Sequence, residues 1–301
     1  MSAAFSDYLA ERFPVAPYLV LIGAMVLGAT AAACDGAGYP VQVGWEQLVV
    51  VVVLLLAFFH LRVFDEHKDY ERDCLAHPER VLSTGRVTLR QLRQAAGAAI
   101  TAQLLLAWGL GSTAFAYLIL VLGFSVLMRY EFFVGSWLNR HIVLYALSHN
   151  PIVALMMVFS VTVTLQPMGG LDWSQEVIAY LLLASLTSLG FEVGRKLRAP
   201  EDELEGQDTY TAALGVARAV GFLSLVMVLS LLSAWSLLEF WWTLGGATAV
   251  VALALSCAYR FVQTPTVAAA KACENITTLA ALGLYILVVV DVALRRGWAW
   301  I

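Results

Sequence analysis

The chain has 301 residues, of which 60% are hydrophobic and only 13% charged, with a formal net charge of −4. Soluble domains average about a quarter charged residues, so a mean hydropathy of +0.78 excludes an ordinary soluble fold. The four cysteines (Cys34, Cys74, Cys257, Cys273) show no C-x-x-C spacing, which argues against a zinc site or a disulfide framework.

The opening stretch MSAAFSDYLAERFP has no basic region ahead of an apolar core, so no cleaved signal peptide is expected. A membrane-spanning helix needs about 20 mostly apolar residues. In chain order the pattern predicts nine, at roughly 15–34, 45–64, 92–110, 112–129, 141–165, 175–195, 212–233, 236–259 and 273–294. The short links GLGST and SAWS make the third and fourth helices, and the seventh and eighth, antiparallel hairpins. No soluble insert separates the helices. Residues 1–301 therefore read as one all-α transmembrane domain, a nine-helix bundle whose polar cap comes from charged loops at about 62–93 and 192–211.

Lysine and arginine mark the cytoplasmic side of membrane proteins. Of the 18 here, Arg12 precedes the first helix, and Arg62, Lys68, Arg72, Arg80, Arg86, Arg90 and Arg93 lie between the second and third. Arg129 and Arg140 fall between the fourth and fifth, Arg195, Lys196, Arg198 and Arg218 after the sixth, and Arg260 and Lys271 between the eighth and ninth. The links after the first, third, fifth and seventh helices carry none. This predicts a multi-pass protein of the cell membrane with its N-terminus and both charged loops cytoplasmic. Arg295 and Arg296, at the C-terminus, break the pattern.

The second predicted helix continues as LLLAFFHLRVFDEHKDYERD. Asp65, Asp69 and Asp73 are spaced i, i+4, i+8 and so share one helix face. Like charges this close repel, and the usual reason for such a stripe is a divalent cation. Mg²⁺ takes one or two carboxylates plus phosphate oxygens and keeps some waters. Lys68 and Arg72, on the flanks, suit direct contact with phosphate. The stretch also reads as a solvated, salt-bridged helix end. Three aspartates on one face against a membrane core favour the cation platform.

Next comes CLAHPERVLSTGRVTLRQL, in which Pro78 and Gly85 punctuate a loop. Thr88 and Gln91 form a capping-box pattern that opens the third helix. The run D-x-x-x-D-x-x-x-D followed by H-P-E-R-V-L-S-T-G-R-V-T resembles the UbiA superfamily of intramembrane prenyltransferases. Its members have nine transmembrane helices, a first motif N-x-x-x-D-x-x-x-D, and a following R-P-L-x-x-G-type loop. Asp69 and Asp73 fall on the motif's aspartates, Asp65 on its asparagine and Arg80 on the loop arginine, with Val81 in place of proline. The likeness covers the whole chain in helix count and loop placement. Its motif is specific over 65–90 and weaker elsewhere.

The family's second acidic motif, D-x-x-x-D, should follow the sixth helix, where the chain reads FEVGRKLRAPEDELEGQDTYTAALG. Glu192 stands for the first aspartate, but Lys196, with Arg195 beside it, occupies the place of the second. Either these cations contact a diphosphate in place of a second Mg²⁺, which is the preferred reading, or Glu201, Asp202, Glu203 or Asp208 folds back as the missing ligand. Asp208 and Tyr210 sit at the expected mouth of the site; Asp208 equally reads as a helix N-cap. Tyr130 and Arg140 are candidate diphosphate contacts by resemblance and equally read as interfacial anchors. His149 and Asn150 precede Pro151 at membrane depth. They are candidate pocket residues, or they satisfy the proline kink.

The resemblance implies that Asp65, Asp69, Asp73 and Glu192 hold Mg²⁺ against an isoprenyl diphosphate, with Lys68, Arg72, Arg80, Arg195 and Lys196 completing the clamp. An aromatic or lipid acceptor then takes the prenyl group. The alternative within the superfamily is a class I terpene cyclase, in which the chain captures its own cation. A transporter is disfavoured because the charge gathers at one face rather than at the midplane. Expected partners are the isoprenyl diphosphate, membrane lipid and the acceptor, and no nucleic acid.

Overall fold

In lipid every backbone N–H and C=O needs an internal partner, which leaves helices as the default for apolar stretches. The computed structural model describes residues 3–203 and 208–300 and follows that rule. A short amphipathic helix, α1 (Ala3–Arg12), leads into α2 (Val15–Gly36), α3 (Trp45–Ala76), α4 (Leu89–Gly109) and α5 (Ser112–Arg129). Then come the one-turn α6 (Gly135–Leu138), α7 (Ile142–His149), α8 (Pro151–Leu165) and α9 (Gln175–Arg195). The chain ends with α10 (Tyr210–Leu214), α11 (Val216–Trp235), α12 (Trp241–Gln263) and α13 (Val267–Arg296).

Among the described residues, eight helices are long and apolar enough to cross a membrane. They include α3 and the α7–α8 pair taken together, residues 142–168. The third expected span, α4, is present with 21 residues, but Arg90, Gln91, Arg93 and Gln94 make it more polar than the eight. Thr88 caps it as the sequence predicts, its hydroxyl accepting from Gln91 N while Gln91 Oε1 accepts from Thr88 N at 2.9 Å. Most limits fall within a few residues of expectation, and two features bear on the site. The second helix does not stop at 64 but runs unbroken to Ala76, so the acid stripe is helical along its whole length. The fifth is divided at Asn150, where Pro151 opens α8.

The core lies where α2, α8, α9 and α13 meet, with Ile22, Phe159, Tyr180 and Tyr285 fully buried. Small residues allow this close approach. Ala29, Ala31, Ala32 and Ala33 line the buried side of α2. At Gly28 a Cβ would lie 2.6 Å from Tyr180 Cε2, while Tyr180 Oη donates to Met25 O at 2.6 Å. A second apolar cluster joins α1 and the 77–88 loop to α3 and α4 through Tyr8, Phe13, Phe59, Val81, Leu82 and Leu92.

The end of the bundle opposite the acid stripe explains the two arginines that break the charge asymmetry. Arg295 contacts Asp35 at 2.8 Å, Asp291 at 2.7 Å and Glu239 at 2.9 Å, and Arg296 contacts Asp35 at 2.8 Å. Asp291 also accepts from Phe240 N at 3.0 Å and Thr243 Oγ1 at 2.6 Å, which caps the start of α12. Beside this cluster β1 (Val41–Val43) pairs in parallel with β2 (Trp298–Trp300), a contact the sequence reading lacked.

Replacing Gly28 by alanine should drive a methyl group into the Tyr180 ring and separate α2 from α9. The expected cost is about 1–3 kcal/mol, read as a lowered thermal midpoint in detergent. Gly23→Ala, where a Cβ meets nothing within 4 Å, is the control.

Candidate active site

Three helix ends and a kink build the site. On the last turns of α3, Asp65, Asp69 and Asp73 stack on one face, and their side chains are 55%, 28% and 26% exposed. Their mutual repulsion is relieved by interleaved cations. Lys68 Nζ lies 3.7 Å from Asp65, and Arg72 contacts Asp69 at 2.9 Å. Asp73 Oδ2 is shared by Arg12, from the end of α1, at 2.9 Å and by Arg80, from the loop, at 3.0 Å. The three aspartates, expected to be equivalent ligands, therefore differ. Asp73 is held by two guanidiniums, whereas Asp65 has only a loose ion pair.

At the end of α9, Glu192 contacts Arg195 at 2.7 Å and Lys196 at 2.9 Å. The two cations expected to reach a diphosphate on their own thus share one carboxylate, because i+3 and i+4 neighbours on a helix meet before anything more distant does. The Asp65 carboxylate feels the negative charge of Asp69 and, more weakly, that of Glu192 on α9. Arg72 also binds Asp208 at 2.7 Å, tying the segment before α10 across the site. Tyr210 is buried and its N–H donates to Lys196 O at 3.1 Å. Burial, then the Glu192 charge, push its phenol above the ordinary range, so it stays protonated.

The third wall comes from the kinked helix. Lys68 Nζ donates to Tyr145 Oη on α7, sits 5.2 Å from that ring's centre and lies 3.7 Å from Glu131. His149 stacks on Tyr145 at 4.1 Å, and its Nδ1 bonds Tyr145 O at 2.8 Å. Its Nε2 is buried with no hydrogen-bond partner. A cavity of about 40 Å³ lies here, lined by Leu61, Phe64, Asp65, Lys68, Ser125 and His149 among others. Beneath it, Ser125 and Gln103 each contact the buried His60 at 3.2 Å.

Other expected residues lie apart. Asn150 donates to Ser185 O at 3.0 Å and so ties the kink to α9. Tyr130 is 59% exposed and stacks on Phe133, and Arg140 donates to Ser136 O. No described contact joins either one to the α3 stripe. Glu203, one of the alternatives for the missing ligand, accepts from Thr209 and Thr211 at the start of α10.

Sequence reasoning missed the buried charge behind the stripe. Glu66, 2% exposed, binds Arg12 and Arg62, each at 2.8 Å. The i,i+4 spacing of Arg62 and Glu66 hinted at one of these pairs; nothing local announced the other. Burial and the nearby Arg12 hold Arg80 below its ordinary pKa, yet a guanidinium stays charged. Glu131, Phe132 and Phe133 were missed too. All three have positive φ, of 48°, 53° and 62°, a conformation costing about 1–2 kcal/mol for each L-residue.

Among the described residues no three His, Cys, Asp or Glu side chains are placed to hold a metal ion together. Mg²⁺ asks for less, namely one or two carboxylates, with phosphates and water filling the rest. Asp65 and Asp69, on one face of α3, have the donor chemistry for that role. Acids and cations thus gather at one end of a helical membrane bundle, beside a small cavity. The UbiA prenyltransferase family matches residues 12–289, and the chain belongs to that family. Two solved structures share its fold. A UbiA homolog from Aeropyrum pernix K1 has a TM-score of 0.65 at 16% identity, over 90% of this chain and 97% of that one. A digeranylgeranylglyceryl phosphate synthase has a TM-score of 0.59 at 15% identity, over 92% and 97%. No curated protein sequence matches the chain.

Arg12→Met should leave buried Glu66 with one partner and Asp73 with one, at a cost of about 1–3 kcal/mol in thermal unfolding. Asp7→Asn, which breaks the exposed pair with Arg86, should change stability by no more than about 0.5 kcal/mol.

Proposed function

We propose that this membrane protein is a Mg²⁺-dependent prenyltransferase that ionises an isoprenyl diphosphate and passes the prenyl group to an aromatic or lipid acceptor. The observation that carries the reading is the stripe of Asp65 and Asp69 at the end of α3, with Asp65 and Lys68 lining a cavity at the end of the apolar bundle. In this reading Asp65, Asp69 and Glu192 hold the metal, which would supply the positive charge that lets diphosphate leave. Asp73 fixes Arg80 and Arg12 at the rim rather than binding metal. Lys68, Arg72, Arg195 and Lys196 present donors to the diphosphate oxygens.

The isoprenyl tail lies among apolar helix faces, where water is scarce and a developing allylic cation survives long enough to be captured. The aromatic ring of Phe64 at the cavity adds a negative π surface to that environment. The N-terminus and the charged end face the cytoplasm, where diphosphate substrates and Mg²⁺ are supplied.

The test is Mg²⁺-dependent pyrophosphate release from farnesyl and geranylgeranyl diphosphates by the detergent-purified protein, with organic extracts analysed by gas chromatography–mass spectrometry. Asp69→Asn should lower turnover about 100-fold or more while the thermal midpoint holds. Activity that appears only with an added aromatic or lipid acceptor supports transfer. A cyclic product formed with no acceptor, and absent from Asp69→Asn, would make the protein a cyclase. Pyrophosphate release unchanged in Asp69→Asn would overturn the metal platform.

A further inference from the structure

Three consecutive non-glycine residues in the left-handed region are disfavoured, and such strain persists only where the surroundings over-determine it. At 131–133 the surroundings are specific. Phe132 packs edge-on against Phe124 at 5.5 Å and His149 at 5.4 Å. Phe133 stacks on Tyr130 at 5.8 Å, and Val134 N donates to Glu131 O at 3.0 Å. The Glu131 carboxylate folds over Gly135, where a Cβ would lie 3.0 Å from its Cδ and nearer still to Oε2. The result is to bring Glu131, 17% exposed, within 3.7 Å of Lys68 Nζ.

That ammonium belongs to an i,i+3 pair with Asp65, and the pair is unusually loose. Asp69–Arg72, Glu192–Arg195 and Lys271–Glu274 have the same spacing and close to 2.9, 2.7 and 2.9 Å. Lys68 stays 3.7 Å from Asp65. On its other side Lys68 donates to Tyr145 Oη and lies at the same 3.7 Å from Glu131 as from Asp65. A carboxylate in contact with an ammonium is a poor ligand, because its lone pairs and charge are already engaged; one held off from it is available.

We infer that Glu131 is a positioning residue for the cation platform: by drawing Lys68 away from Asp65, it keeps that carboxylate open to a divalent cation. The inference rests on Asp65 being a metal ligand, as proposed above. Without Glu131 the Lys68 ammonium closes on Asp65 as the other i,i+3 pairs do, and the cation binds less well.

The experiment is direct Mn²⁺ binding to the full chain in detergent, read from the free-ion electron paramagnetic resonance signal with no substrate or turnover. Glu131→Gln should weaken binding about threefold to tenfold, the range of a partly exposed ion pair. Gly135→Ala should do the same, since its methyl group displaces the carboxylate; so should Glu131→Asp, which withdraws it by one methylene and carries the test if another variant fails to fold. In a Lys68→Gln background, Glu131→Gln should have no further effect, because no ammonium remains to close on Asp65. Binding that is weakened by Asp65→Asn but unchanged by Glu131→Gln overturns the inference and leaves the metal reading intact. So does a Glu131→Gln effect that persists without Lys68, which would reflect bulk charge alone. Wild-type protein that binds no Mn²⁺, or binds it independently of Asp65, removes the metal reading and this inference with it.

Discussion

Carboxylates stacked four residues apart on one helix repel each other, and next to an apolar slab there is little water to screen them. The end of α3 bears such a stack only because cations drawn from separate parts of the chain are set between its members. Lys68 and Arg72 come from the helix itself, Arg12 from α1 and Arg80 from the loop before α4. Much of the polar cap follows from that requirement. With Arg12 tied to Asp73 and Glu66, the end of α1 is held at α3, and its apolar side closes the second cluster around Tyr8 and Phe13. Once Arg72 reaches Asp208, the segment before α10 crosses toward α3.

The stack is graded along its length. Asp73, farthest from the apolar core, is gripped by two guanidiniums; Asp65, nearest the core, is more exposed and has only a distant ammonium. Ion pairing is therefore tightest at the outer end and loosest at the inner end, beside the cavity. Two departures from ideal helix shape serve this inner end. The break at Asn150 puts Tyr145 and His149 beside Lys68, and the left-handed turn at 131–133 brings in Glu131.

The opposite end solves a different problem with the same means. Asp291 is fully buried and Arg295 nearly so, a costly arrangement unless every charge is matched. Asp35, Asp291 and Glu239 supply the matching charge, and Asp291 doubles as the cap of α12. The short β1–β2 pairing ties the chain after α2 to the chain after α13. One end of the bundle is thus fastened by buried ion pairs and backbone pairing, while the other carries the more exposed pairs of the acid stripe.

Helix identity and most helix limits were legible in the sequence, because long apolar runs in lipid have one satisfactory conformation and that choice is local. The acid stripe, the Thr88–Gln91 cap, the kink at Pro151 and the family were legible for the same reason: each rests on residues close together in the chain. The division of labour within the stripe was not. Asp65, Asp69 and Asp73 look alike in sequence, and Arg12, Tyr145 and Glu131 carry no local mark of their partners. Arg12 lies 54 positions from Glu66, Arg72 136 from Asp208, and Arg295 260 from Asp35. The sequence by itself determined the helices and the kinds of charge at each end. Only the tertiary structure decided which cation meets which carboxylate, because an ion pair depends on distances of a few ångströms that helix packing sets and sequence spacing does not.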